Sequence, residues 1–392
     1  MSGVVLAVAW LVTISAALAA CSLFERRARV GPRPDRPELL PPRAAWGGGR
    51  LAPPGHSAVA RSLAGFARIV RRRSRVADHR PGLRVVGRVG AVASLAIGLA
   101  LIPFAGSWGG GPSDPALLLL DLPHGLAAIV LLLMLHSSFR VTIGLSERNA
   151  WSRIGSARQA SRAIAAVALM TLVLAPIAIG SGSLRLHDLA LAQQLPIASL
   201  DRTLGMLADG LAGGSLGSSI PAWNLFTQPL TALLFAPAMT LMLGSGRVDD
   251  PVTGSVGTAG LGLDADPIDV YWSRLDARLS LVLASTLFVT LFMGAGAIPF
   301  VDLGRVVAGL SRYAGEFLPT LLVSGLYLGS FLAKSLVVLA VAMRLKQLVA
   351  AARVDRSLRL VTRRLLPLAW ANLLLVAALT LWLSGRAEGS VG

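Results

Sequence analysis

The chain has 392 residues, 54% of them hydrophobic and only 15% charged, which excludes an ordinary soluble globular domain. Its formal net charge is +17. In a soluble protein that balance would point to nucleic acid; here the placement of the charges points to a membrane instead.

Apolar runs long enough to cross a bilayer recur along the chain. Eight spans are predicted, at about 3–23, 85–106, 117–143, 162–182, 222–244, 277–299, 317–343 and 365–384. The expected fold class is an all-α integral membrane protein, with residues 1–392 forming a single membrane domain. If the N-terminus is outside, the inside segments 24–90, 140–162, 246–278 and 344–364 hold 31 of the 37 Lys and Arg residues. Outside segments hold only Arg185, Arg202, Arg305, Arg312 and Arg386, and Lys334 falls within a span. That asymmetry is a positive-inside signature. It predicts both termini outside and no nucleic-acid partner. Lysine occurs only at Lys334 and Lys346, with arginine elsewhere, a bias that favours a bacterial plasma membrane.

The first predicted span ends in Leu18-Ala19-Ala20-Cys21, which resembles a lipoprotein cleavage box. The start carries no positive charge, and Arg26, Arg27 and Arg29 follow the span, so an uncleaved span is expected. Cys21 is the single cysteine, which leaves no disulfide framework or iron–sulfur site to be built within the chain. An inside arm follows at 24–84. Within it, residues 57–76 predict an amphipathic surface helix. Val59, Leu63, Phe66 and Val70 share one stripe, with Arg61, Arg68, Arg72 and Arg75 opposite. That face suits either lipid headgroups or a cytoplasmic partner. The later inside loop 246–276 is rich in Asp and Gly, but its spacing does not fit a calcium loop.

Ionisable residues in or near the spans are few. Asp121 and Arg140 fall near the two ends of the third span, Asp276 and Arg278 at the mouth of the sixth, and Lys334 deep in the seventh. A charge that deep marks a functional site or a buried pair. His124 and His136 share the third span but stand twelve residues apart and cannot hold one metal. No metal site and no catalytic triad is expected. The fifth span opens with Pro-Ala-Trp-Asn-Leu-Phe-Thr-Gln-Pro-Leu over 221–230. Asn224 and Gln228, four apart, enter the apolar run together. An unpaired amide there costs several kcal/mol, so this face should meet protein or a water-filled cavity.

The Trp223–Leu230 stretch resembles the membrane subunit of respiratory complex I known as NADH-quinone oxidoreductase subunit 1, with related subunits in membrane-bound hydrogenases. Other segments agree in order: Ala77-Asp78-His79-Arg80, Ile102-Pro103-Phe104, Asp121-Leu122 with Gly125-Leu126, Gly155 and Arg158, Ser183–Leu186 with Ala192-Gln193, Lys334, Lys346, Arg353-Val354-Asp355, Leu366-Pro367-Leu368 and Asn372-Leu373. The resemblance implies a subunit joining a peripheral redox arm to the membrane arm beside a quinone site. It implies no redox cofactor in this chain, with quinone as a substrate of the complex. The partners implied are iron–sulfur peripheral subunits, antiporter-like membrane subunits and lipid. Phe66, Trp223, Asn224, Gln228 and Asp249 would line a quinone or interface cavity. Asp121 and Lys334 would be intramembrane charges. Arg68, Asp78, Arg80, Arg353 and Asp355 would face the peripheral arm. Glutamates implied by the resemblance fall instead on Val167, Met242 and Ala284, so proton coupling transfers poorly. A self-contained small-solute or ion transporter and a purely structural membrane scaffold are the competing expectations.

Overall fold

A computed structural model describes residues 14–21, 81–104, 118–147, 150–193, 222–243, 267–298, 317–348 and 354–388. Within these, regular structure is helical. Helix α1 covers 14–21, α2 Pro81–Ala100, α3 Gly125–Ser146 and α4 Ala150–Ser181. The short α5 covers Leu186–Ala192, α6 Asn224–Thr227, α7 Pro229–Leu243 and α8 Pro267–Phe292. Helix α9 covers Phe317–Leu348. Then α10, Val354–Leu360, runs through a π-helical turn at Val361–Leu365 into α11, Leu366–Glu388. Proline opens α2, α7 and α8, where its missing N–H is no loss.

Six of these helices are long and apolar enough to cross a membrane, over 82–100, 125–146, 152–181, 271–292, 322–345 and 357–382. They coincide with six of the predicted spans. The first predicted span is described only over 14–21, and the amphipathic segment 57–76 lies outside the described residues. The fifth differs from expectation in kind. Its apolar helix, α7, has 15 residues, about 22 Å long and short of the roughly 20 residues a full span needs. The cause is local. Gln228 precedes Pro229, whose ring disfavours helical geometry in the residue before it, and Gln228 sits at φ −134°, ψ 59°. One turn of helix, α6, therefore stands ahead of the break.

The core is predominantly apolar where helices meet, with buried polar groups such as His136, Thr231 and Asn372 set among it. Phe331 of α9 is fully buried edge-on to Phe104, with ring centroids 5.6 Å apart. Phe235 of α7 packs with Phe288 and Phe292 of α8. The outward faces are apolar too: Leu131, Ile164, Leu233, Val337, Leu374 and Leu381 are all more than 60% exposed. Such a surface in water would drive aggregation; in lipid it is the ordinary exterior.

Lipid supplies no hydrophobic drive between helices, so close packing must hold them together. Helices α2 and α3 achieve it at Gly87. A Cβ there would stand 2.7 Å from Ile143 Cγ1, 3.0 Å from Phe139 O and 3.1 Å from Ile143 N. Two of those three are backbone atoms, so the neighbour has little room to move. Gly87→Val is expected to destabilise the fold by about 1–3 kcal/mol, read as a lower unfolding temperature in detergent. An unchanged transition would contradict this packing.

Candidate functional site: a polar cap on a helix that ends inside the apolar core

Helix α8 stops at Phe292 and the chain continues as irregular backbone to residue 298. The last carbonyls of any helix lack intrahelical partners. In an apolar surrounding each needs a donor from the protein. The turn itself supplies one: Gly294 at φ +63° and Ala295 at φ +51° fold the chain back, so that Ala295 N–H donates to Val289 O at 3.2 Å.

Side chains from three other elements meet Thr290 O, Leu291 O and the carbonyls of the turn that follows. Gln193, just past α5, donates from Nε2 to Thr290 O at 3.0 Å and accepts at Oε1 from Gly294 N–H at 3.0 Å. Asn224, at the start of α6, donates from Nδ2 to Leu291 O at 2.8 Å. Lys334, midway along α9, donates to Met293 O at 2.9 Å, Ala295 O at 3.1 Å and Ala297 O at 2.5 Å. An ammonium has three donors, and all three are used. Its charge also faces the negative end of the α8 dipole. The Trp223 ring lies 4.6 Å from Lys334 Nζ, within cation–π range, and stacks on Phe226 at 5.9 Å.

Gln228 extends the network to two more helices. Its Nε2 donates to Pro176 O in α4 at 3.2 Å, and its Oε1 accepts from Thr231 Oγ1 at 3.3 Å. Thr231 in turn accepts from Asn372 Nδ2 of α11 at 2.8 Å. The approach to α4 depends on Gly180, where a Cβ would lie 2.8 Å from Gln228 Nε2. Both amides of the 221–230 motif thus meet protein, as their entry into the apolar run demanded. Asn224 and Gln228 also point to different helices, because the break at Gln228 separates them.

Asp121 stands just ahead of α3, near the end of the third span, is 36% exposed, and makes a bidentate ion pair with Arg185. It is a charge at the end of the bundle, not inside it. The Arg185 hydrogen bond holds its carboxyl below the usual carboxylate range. Beside it, burial pushes the His187 imidazole down from its usual value.

Midway along α3 stands a second polar group. His136 is completely buried; Nδ1 lies 3.2 Å from Ala91 O of α2 and 3.6 Å from Asp276 Oδ1 of α8. Arg140, one turn along, has Nε 3.8 Å from Asp276 Oδ2 and donates to Leu243 O of α7 at 2.6 Å. Ser137 donates to Met242 O at 3.0 Å. Arg84 of α2 and Glu147, the residue that follows α3, form a buried ion pair at 3.6 Å. No group of three or more metal-ligating side chains occurs among the described residues.

Phe66, Arg68, Asp78, Arg80, Asp249 and Arg353 lie outside the described residues, and Asp355 lies in α10. Of the site residues expected from sequence, Trp223, Asn224 and Lys334 come together at one cap, with Gln228 adjoining it. Gln193 is the member that sequence reasoning left among the family matches without a role. An amide two residues beyond Leu191, in an apolar helix end, was its one visible signal.

The architecture and these caps define a multi-pass α-helical membrane protein whose polar side chains mend interrupted helices. A family model described as NADH dehydrogenase matches residues 44–377. The chain belongs to that family, the membrane-subunit family of complex I, and is a complex I-like membrane subunit.

Gln193→Leu keeps the volume but leaves Thr290 O and Gly294 N–H without their partner. The expected loss is about 2 kcal/mol, the order of an unsatisfied buried group, measured as thermal unfolding in detergent. A variant as stable as the parent chain would show that the cap does not need Gln193.

Proposed function

We propose that this chain links the peripheral redox arm to the membrane arm of a complex I-like respiratory or hydrogenase-type assembly, near its quinone site, in a bacterial plasma membrane. The observation that carries this is the family match over residues 44–377, which takes in most of the inside arm, the broken fifth span and the cap around Lys334. The positive-inside asymmetry supports it by placing the arm 24–84 and the loop 246–276 on the side where a peripheral module would dock.

The chain itself carries no redox centre in this proposal; quinone is a substrate of the complex. Asn224 and Gln228 each give one amide N–H to a backbone carbonyl and keep a second, and they line the quinone or interface cavity with Trp223 in this proposal. Phe66 and Asp249 join them there, and Arg68, Asp78, Arg80, Arg353 and Asp355 face the peripheral arm. Carboxylate coupling along the family pattern is disfavoured. Met242 is fully buried, and Val167 and Ala284 are partly buried against the same core.

Gentle solubilisation with an affinity tag on this chain is expected to bring down iron–sulfur peripheral subunits together with antiporter-like membrane subunits. Recovery as a lone, stable chain that moves a solute or ion in proteoliposomes would overturn the proposal in favour of a transporter. Recovery of a complex whose quinone reduction is unaffected by loss of this chain would reduce it to a scaffold.

A further inference from the structure

The three carbonyls around Lys334 are aimed by the backbone as well as met by the lysine. Met293, Ala295 and Ala297 alternate along the turn after α8, and their oxygens converge on Nζ at 2.9, 3.1 and 2.5 Å. The positive φ of Gly294 and Ala295 sets that direction. Ala297 N–H donates to Gly294 O at 3.1 Å, which closes the turn. Gly296 lets the turn press onto α9: a Cβ there would stand 2.6 Å from Tyr327 O, a backbone atom. Carbonyl oxygens gathered at one point repel one another unless a cation stands between them.

The class of that cation is legible in the geometry. A neutral amine has two N–H groups, and three acceptors need the ammonium. Two of the three distances, 2.9 and 3.1 Å, are longer than magnesium–oxygen contacts of about 2.0–2.1 Å and calcium–oxygen contacts of about 2.3–2.6 Å. No carboxylate pairs with Lys334 among the described residues to offset a second charge. Trp223 closes a further side with its indole face, 4.6 Å from Nζ, a surface that attracts cations and offers no oxygen. Converging backbone carbonyls are also the means by which a chain replaces the hydration shell of potassium.

We infer that the turn at 293–297 is a monovalent-cation site that the chain fills with its own ammonium. Lys334 is a tethered ion, and tethering gives it an effective concentration that dilute free ions do not match. The site is thereby closed to ions from solution while the side chain is in place. Taking the ammonium away opens it to potassium or a small alkylammonium, which reach it because Lys334 is only partly buried. No covalent bond is made or broken, and no proton or electron moves. The site stands on the chain's own atoms and not on the complex I-like reading above.

The test uses Lys334→Ala in the full chain in lipid, with amide hydrogen exchange at 293–298 as the readout. In choline chloride, whose cation has no N–H and is too large for the three oxygens, the variant is expected to exchange fast at this segment. Raising methylammonium chloride or potassium chloride in place of choline is expected to slow that exchange saturably, about tenfold when the cation reaches ten times its dissociation constant. The parent chain is expected to show no such response. Lys334→Met, one side-chain atom shorter than lysine, keeps the apolar stem and leaves the Nζ position open, so it serves if Lys334→Ala does not fold. A folded variant that responds to neither cation, or equally to choline, would overturn the site. A parent chain that responds as strongly as the variant would overturn its occupation by Lys334. None of these outcomes depends on which subunits co-purify, so failure of this site and failure of the complex assignment are read separately.

Discussion

A helix that ends inside an apolar slab must find donors for its last carbonyls, and that requirement organises one end of this protein. Helix α8 stops at Phe292 within packed protein. Gln193 and Asn224 meet its carbonyls at Thr290 and Leu291, and Lys334 meets those of the turn beyond it, residues far apart in sequence. Each donor sits on or beside a different helix, so the cap fixes α5, α6 and α9 against one helix end. The break at Gln228 serves the same purpose. It lets α6 turn Asn224 toward α8 while Gln228 itself ties α7 to α4 and, through Thr231 and Asn372, to α11. In water these bonds would be nearly neutral exchanges; in lipid the alternative is an unpaired amide or carbonyl, which costs several kcal/mol.

Much of the fold was legible because its signals are one-dimensional. Long apolar runs need no tertiary knowledge, and six of them are spans in the structure. The same holds for the demand that Asn224 and Gln228 meet a polar partner. What was not legible is where those partners are. The carbonyls of α8 carry no sequence signal, since every residue has one. Their exposure follows from where α8 stops, and Gly294 and Ala295 mark that stop only through their positive φ. Lys334 therefore read as an isolated deep charge, although its ammonium is enclosed by three carbonyls and an indole face. For Asp121 the sequence showed a place near the end of a span but not its partner, Arg185, which comes from another segment. The Gln228–Pro229 dipeptide did announce a helix break. The apolar residues on either side outweighed it in the reading of one continuous span.

The group midway along α3 obeys a different logic. The His136–Asp276 pair leaves a nitrogen and an oxygen without a hydrogen bond among the described residues. It lies against the end of α7 at Met242 and Leu243, a position where the family resemblance implies a carboxylate and this chain has a thioether. A chain can lose an acid at one position of a packed bundle and still hold a titratable group on the facing helix.

The central claim is that residues 293–298 are held by side-chain caps rather than by helix. Amide hydrogen exchange of the chain in lipid tests it most directly. Gly294, Ala295 and Ala297 N–H groups should exchange as slowly as those within α8, and Lys334→Met should release that protection at 293–298 while leaving the rest of α8 unchanged. Protection at these amides that is indifferent to Lys334→Met would contradict the account.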